Sequence, residues 1–123
     1  MKVVLKSAEA ADKPNVRGWL RRDTVYLVLA VESSGTSATA YRIESEDNRT
    51  PALFETDLFS IVDNRVSSCW VVVKDENCPL QFMPAAWNED DFWDRFFDGD
   101  ADARRAYEEV IQTMRAEMSE QVI

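Results

Sequence analysis

The chain has 123 residues, 46% of them hydrophobic, with 23 acidic and 14 basic side chains and a formal net charge of −9. That length and apolar content fit one domain with a buried core and exclude a disordered chain. With no histidine, Ser-His-Asp and Cys-His catalysis, histidine-ligated zinc and imidazole switching are all excluded.

The first residues, Met1-Lys2-Val3-Val4-Leu5-Lys6, are charged twice and read as a strand over 2–6 rather than as the apolar core of a signal peptide. No uncharged apolar run approaches the roughly 20 residues of a membrane span, so a cytoplasmic protein without membrane contact is expected. Residues 7–18 are small and polar and read as a loop with at most a fragment of helix. Residues 24–33, rich in Val, Leu and Tyr, give the clearest strand, followed by a turn at 33–37. Over 38–45, Tyr41 and Ile43 alternate with Arg42 and Glu44, the period of a half-buried strand. A second turn falls at 46–49. Leu53-Phe54 and 58–62 read as short strands around Glu55-Thr56-Asp57. Residues 69–74 and 80–83 pair across a turn at 75–77. Five to seven short strands at this spacing suit a small antiparallel β-barrel or a curled sheet.

The period then changes. Asn88, three residues before Asp91, resembles a capping box. Phe92, Trp93, Phe96 and Phe97 form one broad helical face that is expected to be buried, and Asp98-Gly99 stops the helix. Asp100 or Asp102 can cap the next helix. Its stripe of Ala103, Tyr107, Val110, Ile111, Met114 and Met118 opposes Arg104, Arg105, Glu108, Glu109, Arg115 and Glu117. The expected fold is a single α+β domain over 1–123, β-rich over 1–83 and helical over 84–120. The expected core comprises Val4, Val25, Leu27, Leu29, Tyr41, Ile43, Leu58, Ile61, Trp70, Val72, Phe92, Phe96, Val110, Ile111 and Met114.

Charge is distributed unevenly. Residues 84–123 carry 11 acids and 4 bases, against 12 and 10 over 1–83. Within 88–102, seven carboxylates and one arginine accompany four aromatic rings. A concentrated negative field attracts a positive partner, so Glu89, Asp90, Asp94, Asp98, Asp100 and Asp102 are the candidate partner-binding residues. Asp98, Asp100, Asp102 and Glu109 echo a calcium loop, but Ala103 stands where the sharp turn needs glycine. Helix capping explains the same aspartates. A carboxylate-dependent enzyme would need one acid of raised pKa in a shaped cleft, the opposite of a solvated acidic face. No catalytic residue, metal or cofactor is assigned. Cys69 and Cys78 read as reduced thiols, Cys69 within a strand and Cys78 nearer the surface. Arg17, Arg21 and Arg22 around Trp19, with Arg42 and Arg49, read as solvated arginines, because the net charge opposes binding to a phosphate backbone. No nucleic-acid partner is expected.

Two segments carry a resemblance. One runs from Tyr41-Arg42-Ile43 through Leu53-Phe54-Glu55-Thr56-Asp57-Leu58-Phe59-Ser60-Ile61-Val62-Asp63 to Cys69-Trp70-Val71-Val72. The other is Pro84-Ala85-Ala86-Trp87, the acidic-aromatic helix, Asp98-Gly99-Asp100 and the terminal helix. Over roughly residues 24–111 this order resembles the small cytoplasmic immunity proteins of bacterial polymorphic or contact-dependent toxin systems. The resemblance implies a bent barrel of the Src-homology-3 type with C-terminal helices. It also implies a protein that neutralises a cognate toxin. Contact residues vary among immunity proteins, so it assigns none.

The leading expectation is a non-catalytic acidic protein that blocks the active or substrate surface of a basic toxin domain, such as a nuclease. The alternative is a barrel-type peptide-binding or regulatory module with an aromatic groove near Trp19, Tyr26 and Trp87. A small carboxylate-dependent enzyme is the third.

Overall fold

The structure, a computed structural model, describes residues 1–33, 38–45, 49–74 and 79–119. Most of the turn residues expected at 33–37, 46–49 and 75–77, together with Cys78, lie outside the described residues.

Strand β1 (Lys2–Leu5) leads into α1 (Ala8–Ala11), a single helical turn whose N-cap Ser7 accepts the Ala10 N–H. The loop that follows buries Val16 and Leu20, and its Arg21 N–H donates to the Tyr26 hydroxyl at 2.6 Å. Strands β2 (Tyr26–Leu27) and β3 (Ala30–Ser33) are two halves of one interrupted run. Tyr26 and Val28 enter one core, and Leu27 and Leu29 pack against another. A run buried on both sides reads as continuous apolar sequence, which is why 24–33 was the clearest strand in the chain.

Strand β4 (Thr39–Glu44) pairs with β3 and with β5 (Pro51–Glu55). A 3-10 turn, Thr56–Leu58, carries the chain into β6 (Phe59–Asp63), which returns antiparallel to β1. Strand β7 (Trp70–Val73) pairs with β8 (Gln81–Pro84), and β8 joins β3 through Val31 opposite Phe82. All pairings are antiparallel, in the orders β2-β1-β6 and β5-β4-β3-β8-β7. Among the described residues the ladders make two sheets, of three and five strands, and no closed barrel.

A second 3-10 turn, Ala85–Trp87, precedes α2 (Phe92–Phe97) and the long helix α3 (Ala101–Ser119). The protein is therefore α+β, with its helices largely after its strands. One core lies between the sheets and includes Val3, Leu5, Tyr26, Val28, Tyr41, Ile43, Phe54 and Phe59. The other joins Leu29 to Trp87, Phe92, Phe96, Tyr107, Ile111 and Met114 of the helical region.

Several expected core positions are corrected. Val3 and Leu5 are buried in place of Val4, because three adjacent aliphatics give no alternation to set the phase. Val25 is 54% exposed, Ile61 50% and Val72 65%. Ile61 and Val72 lie on β6 and β7, which end their sheets and have a neighbouring strand on one side only. Leu27, Trp70 and Val110 are half-buried.

Candidate functional site

The acidic-aromatic segment is built from two short turns around a short helix. Pro84 starts the 3-10 turn, and the Asn88 N–H donates back to Ala85 O, so Asn88 closes that turn. The expected capping box does not form, and α2 starts at Phe92 with no side-chain cap from Asp91. At its other end Gly99 adopts φ +86. The Gly99 N–H donates to Phe96 O and the Asp100 N–H to Arg95 O, the paired bonds of a Schellman stop. Asp100 then caps α3: its Oδ1 accepts the Asp102 N–H at 2.8 Å and the Ala103 N–H at 3.3 Å.

Arg95 gathers three of the seven carboxylates in this segment. Its Nε donates to Asp100 Oδ2 at 3.0 Å, and its Nη1 lies 2.9 Å from Glu89 Oε2 and 3.9 Å from Asp91 Oδ1. The Arg95 guanidinium holds the Asp100 carboxyl below its ordinary pKa, helped by the two capping N–H groups. Asp102 pairs with Arg105 at 3.4 Å, with both side chains well exposed. Of the six predicted partner-binding residues, Glu89, Asp100 and Asp102 are thus engaged within the chain. Asp90, Asp94 and Asp98 are exposed and have no ion pair among the described residues. Their spacing of four sets Asp94 and Asp98 one helical turn apart, and the Asp98 N–H donates to Asp94 O.

The aromatic residues divide. Trp87 and Phe92 are buried and stack at 6.2 Å, and Trp87 stacks on Tyr107 at 5.2 Å. Phe96 is buried in the same cluster. Phe97 is 52% exposed, although its ring meets those of Phe96 and Trp93 at 5.2 and 6.1 Å. The four aromatics are therefore not all core. The reason is geometric: Phe92 and Phe96 are four apart and share one line on α2, while Trp93 and Phe97 are rotated by about 100°. That offset was legible in the sequence. Phe97 lies between Asp94 and Asp98 in the chain and presents a half-open ring among unpaired carboxylates.

Two interior charges were also missed. Arg42, expected to be solvated, is 8% exposed. Its Nε and Nη2 donate to Glu32 at 2.5 and 3.2 Å, and its guanidinium carbon sits 4.0 Å from the Trp93 ring centroid. Glu44, on the same face of β4, accepts the Tyr107 hydroxyl at 2.5 Å and pairs with Arg49 at 3.2 Å and Arg115 at 3.1 Å. Burial, then the Glu44 carboxylate, pushes the Tyr107 phenol far above its ordinary value. No local signal marks Arg42 or Glu44, because the helices that cover them come some 50–60 residues later in the chain.

Trp19, Tyr26 and Trp87 form no open aromatic groove among the described residues. Tyr26 and Trp87 are core residues, and only Trp19 is exposed. The Trp87 indole N–H is buried with no hydrogen-bond acceptor among the described residues. Those residues contain no group of three potential metal ligands and no helix long and apolar enough to cross a membrane. No family model, curated protein or solved structure matches the chain.

Proposed function

We propose that the chain is a non-catalytic acidic binding protein that neutralises a basic toxin domain by covering its active or substrate surface, as an immunity protein does in the cytoplasm. The observation that carries this reading is the surface of α2. Asp90, Asp94 and Asp98, in and beside α2, are exposed and unpaired among the described residues, and the half-exposed Phe97 stands next to Asp98 and three residues after Asp94. Unpaired charge accelerates encounter with an oppositely charged surface, and a partly open aromatic ring supplies the anchor that slows departure. Glu89, Asp100 and Asp102 contribute to the long-range field but are held by Arg95 or Arg105.

The finer architecture belongs to the same reading: a partly open barrel of the Src-homology-3 type, with β7, β8 and the helices added to it. Three features support it. The run holding β2 and β3 serves both sheets. A 3-10 turn links β5 to β6. The last strand of that unit, β6, returns to pair with β1.

The test is binding to the catalytically inactivated form of any basic toxin domain encoded in a reading frame next to that of this chain. The D90N/D94N/D98N variant is expected to associate about tenfold more slowly at low salt, with a shallower salt dependence. Phe97→Ser is expected to shorten the lifetime of the complex. Unchanged rates for both variants would contradict the reading.

A further inference from the structure

We propose that the open part of the groove between the two sheets is a second binding site. It would take an extended peptide segment with a bulky aliphatic side chain followed by a basic one. The argument starts from register. Phe54, Tyr41, Val31, Phe82 and Val72 stand directly opposite one another across β5, β4, β3, β8 and β7. Directly opposed residues share one face, so the five form a single apolar row. Its exposure rises along the row. Phe54 and Tyr41 are buried in the core between the sheets, Val31 and Phe82 are half-buried, and Val72 is open. The three-stranded sheet covers one end of the row, and the described residues leave the other end as a groove.

That groove encloses about 430 Å³ and is lined by Val31, Tyr41, Trp70 and Phe82, with Met1 and Val66 at its sides. This is within the size range of small ligand pockets. The Trp70 ring is fixed at the groove by its indole N–H, which donates to Leu29 O at 2.8 Å, and lies 6.5 Å from the Phe82 ring. A preset aromatic wall costs little ordering on binding. Thr39 and Thr56 line both this groove and a smaller depression of about 290 Å³ that contains Glu55 and Asp57. Both carboxylates are exposed, and neither has an ion pair among the described residues.

The charge selects the occupant. A neutral apolar molecule would fill the groove and gain nothing from Glu55 and Asp57. A second copy of this chain would bring a net charge of −9 against them. An extended segment can address two depressions that share Thr39 and Thr56, because side chains two residues apart emerge on the same side about 7 Å from each other. The groove shares no residue with the α2 surface, so either site can fail alone.

The experiment follows the Trp70 indole N–H by NMR in the intact chain, with the signal assigned from Trp70→Phe. Three blocked pentapeptides are titrated: Ser-Leu-Ile-Lys-Arg, Ser-Leu-Ile-Glu-Glu and Ser-Ser-Ser-Lys-Arg. The first is expected to shift Trp70 saturably, the second to bind about tenfold more weakly, and the third to leave Trp70 unmoved. E55Q/D57N removes the advantage of the first peptide over the second, and Val66→Ser weakens both. All three positions are exposed, so the fold is retained. No Trp70 shift with the first peptide up to about 1 mM would overturn the proposal. So would equal binding of the first two peptides, which would indicate a purely apolar pocket. A shift that follows protein concentration without peptide would overturn it in favour of a second copy.

Discussion

The guanidinium of Arg42 lies over the indole of Trp93, 4.0 Å from its centroid, and joins β4 of the five-stranded sheet to α2. Glu32 holds the other side of the same cation at 2.5 Å. The helix that carries the candidate surface is therefore docked through a buried charge as well as through apolar contact. Removing Arg42 alone strands Glu32 in a site where its side chain is only 16% exposed. Arg42→Met is expected to cost about 3–5 kcal/mol in urea unfolding, and the E32M/R42M double variant to recover most of that. A cost below about 1 kcal/mol for the single variant would show that the pair is solvated.

Phe96 and Phe97 are adjacent in sequence and opposite in consequence. Phe96→Ala is expected to cost about 3–5 kcal/mol, because it opens a cavity against Phe92 and Tyr107. Phe97→Ala is expected to cost no more than about 1 kcal/mol, since half of that ring already faces water. Equal losses on thermal or urea unfolding would place Phe97 in the core and remove it as an anchor.

Acid should destabilise the fold through three carboxyls. Asp63 is held well below the usual carboxylate range by hydrogen bonds from Arg65. Asp100 is lowered by Arg95 and the capping N–H groups. Burial raises Glu117, but hydrogen bonds from Ser67 and Ser68 outweigh it and lower its pKa overall. Groups depressed in the folded state bind fewer protons there than in the unfolded chain. Their stabilisation is complete above the unfolded values of 3.8 and 4.5 and declines as pH falls through the folded ones. Melting temperature should therefore drop below about pH 4.5, and D63N/E117Q should flatten that limb. An acid limb of the same slope in D63N/E117Q would contradict this assignment.

Alkali should act through Tyr107, whose phenol is raised by burial and by Glu44. A phenol raised in the folded state stabilises fully below the unfolded value of 10.0 and loses that contribution as pH climbs beyond it. Tyr107→Phe should lessen the alkaline loss and cost about 1–3 kcal/mol at neutral pH, because Glu44 loses a donor. In spectrophotometric titration of the folded protein, the Tyr107 absorbance change should come only with unfolding. A phenol titrating near 10 in the native state would contradict the buried bond to Glu44.

The sequence was most legible where one period ran long. The stripe Ala103, Tyr107, Val110, Ile111, Met114 and Met118 spans most of α3, and all but half-buried Val110 are buried. The alternation of Tyr41 and Ile43 with Arg42 and Glu44 gave the two faces of β4 correctly. That the second face is also covered could not be read locally, because α2 and α3 that cover it are distant in the chain. At Ile61 and Val72, apolar side chains on sheet-edge strands mimic core positions. At the candidate surface, counting carboxylates gave six equal candidates. Geometry separates the three engaged by arginines from the three left unpaired among the described residues.

The most direct test of the central claim is the association rate between the intact chain and an inactivated toxin domain of the kind proposed, measured by stopped flow across a salt series. Wild type should associate fast at low salt and slow steeply as salt rises. D90N/D94N/D98N should be about tenfold slower at low salt and converge with wild type at high salt. Identical rates and salt slopes for the two proteins would contradict a binding role for the α2 surface.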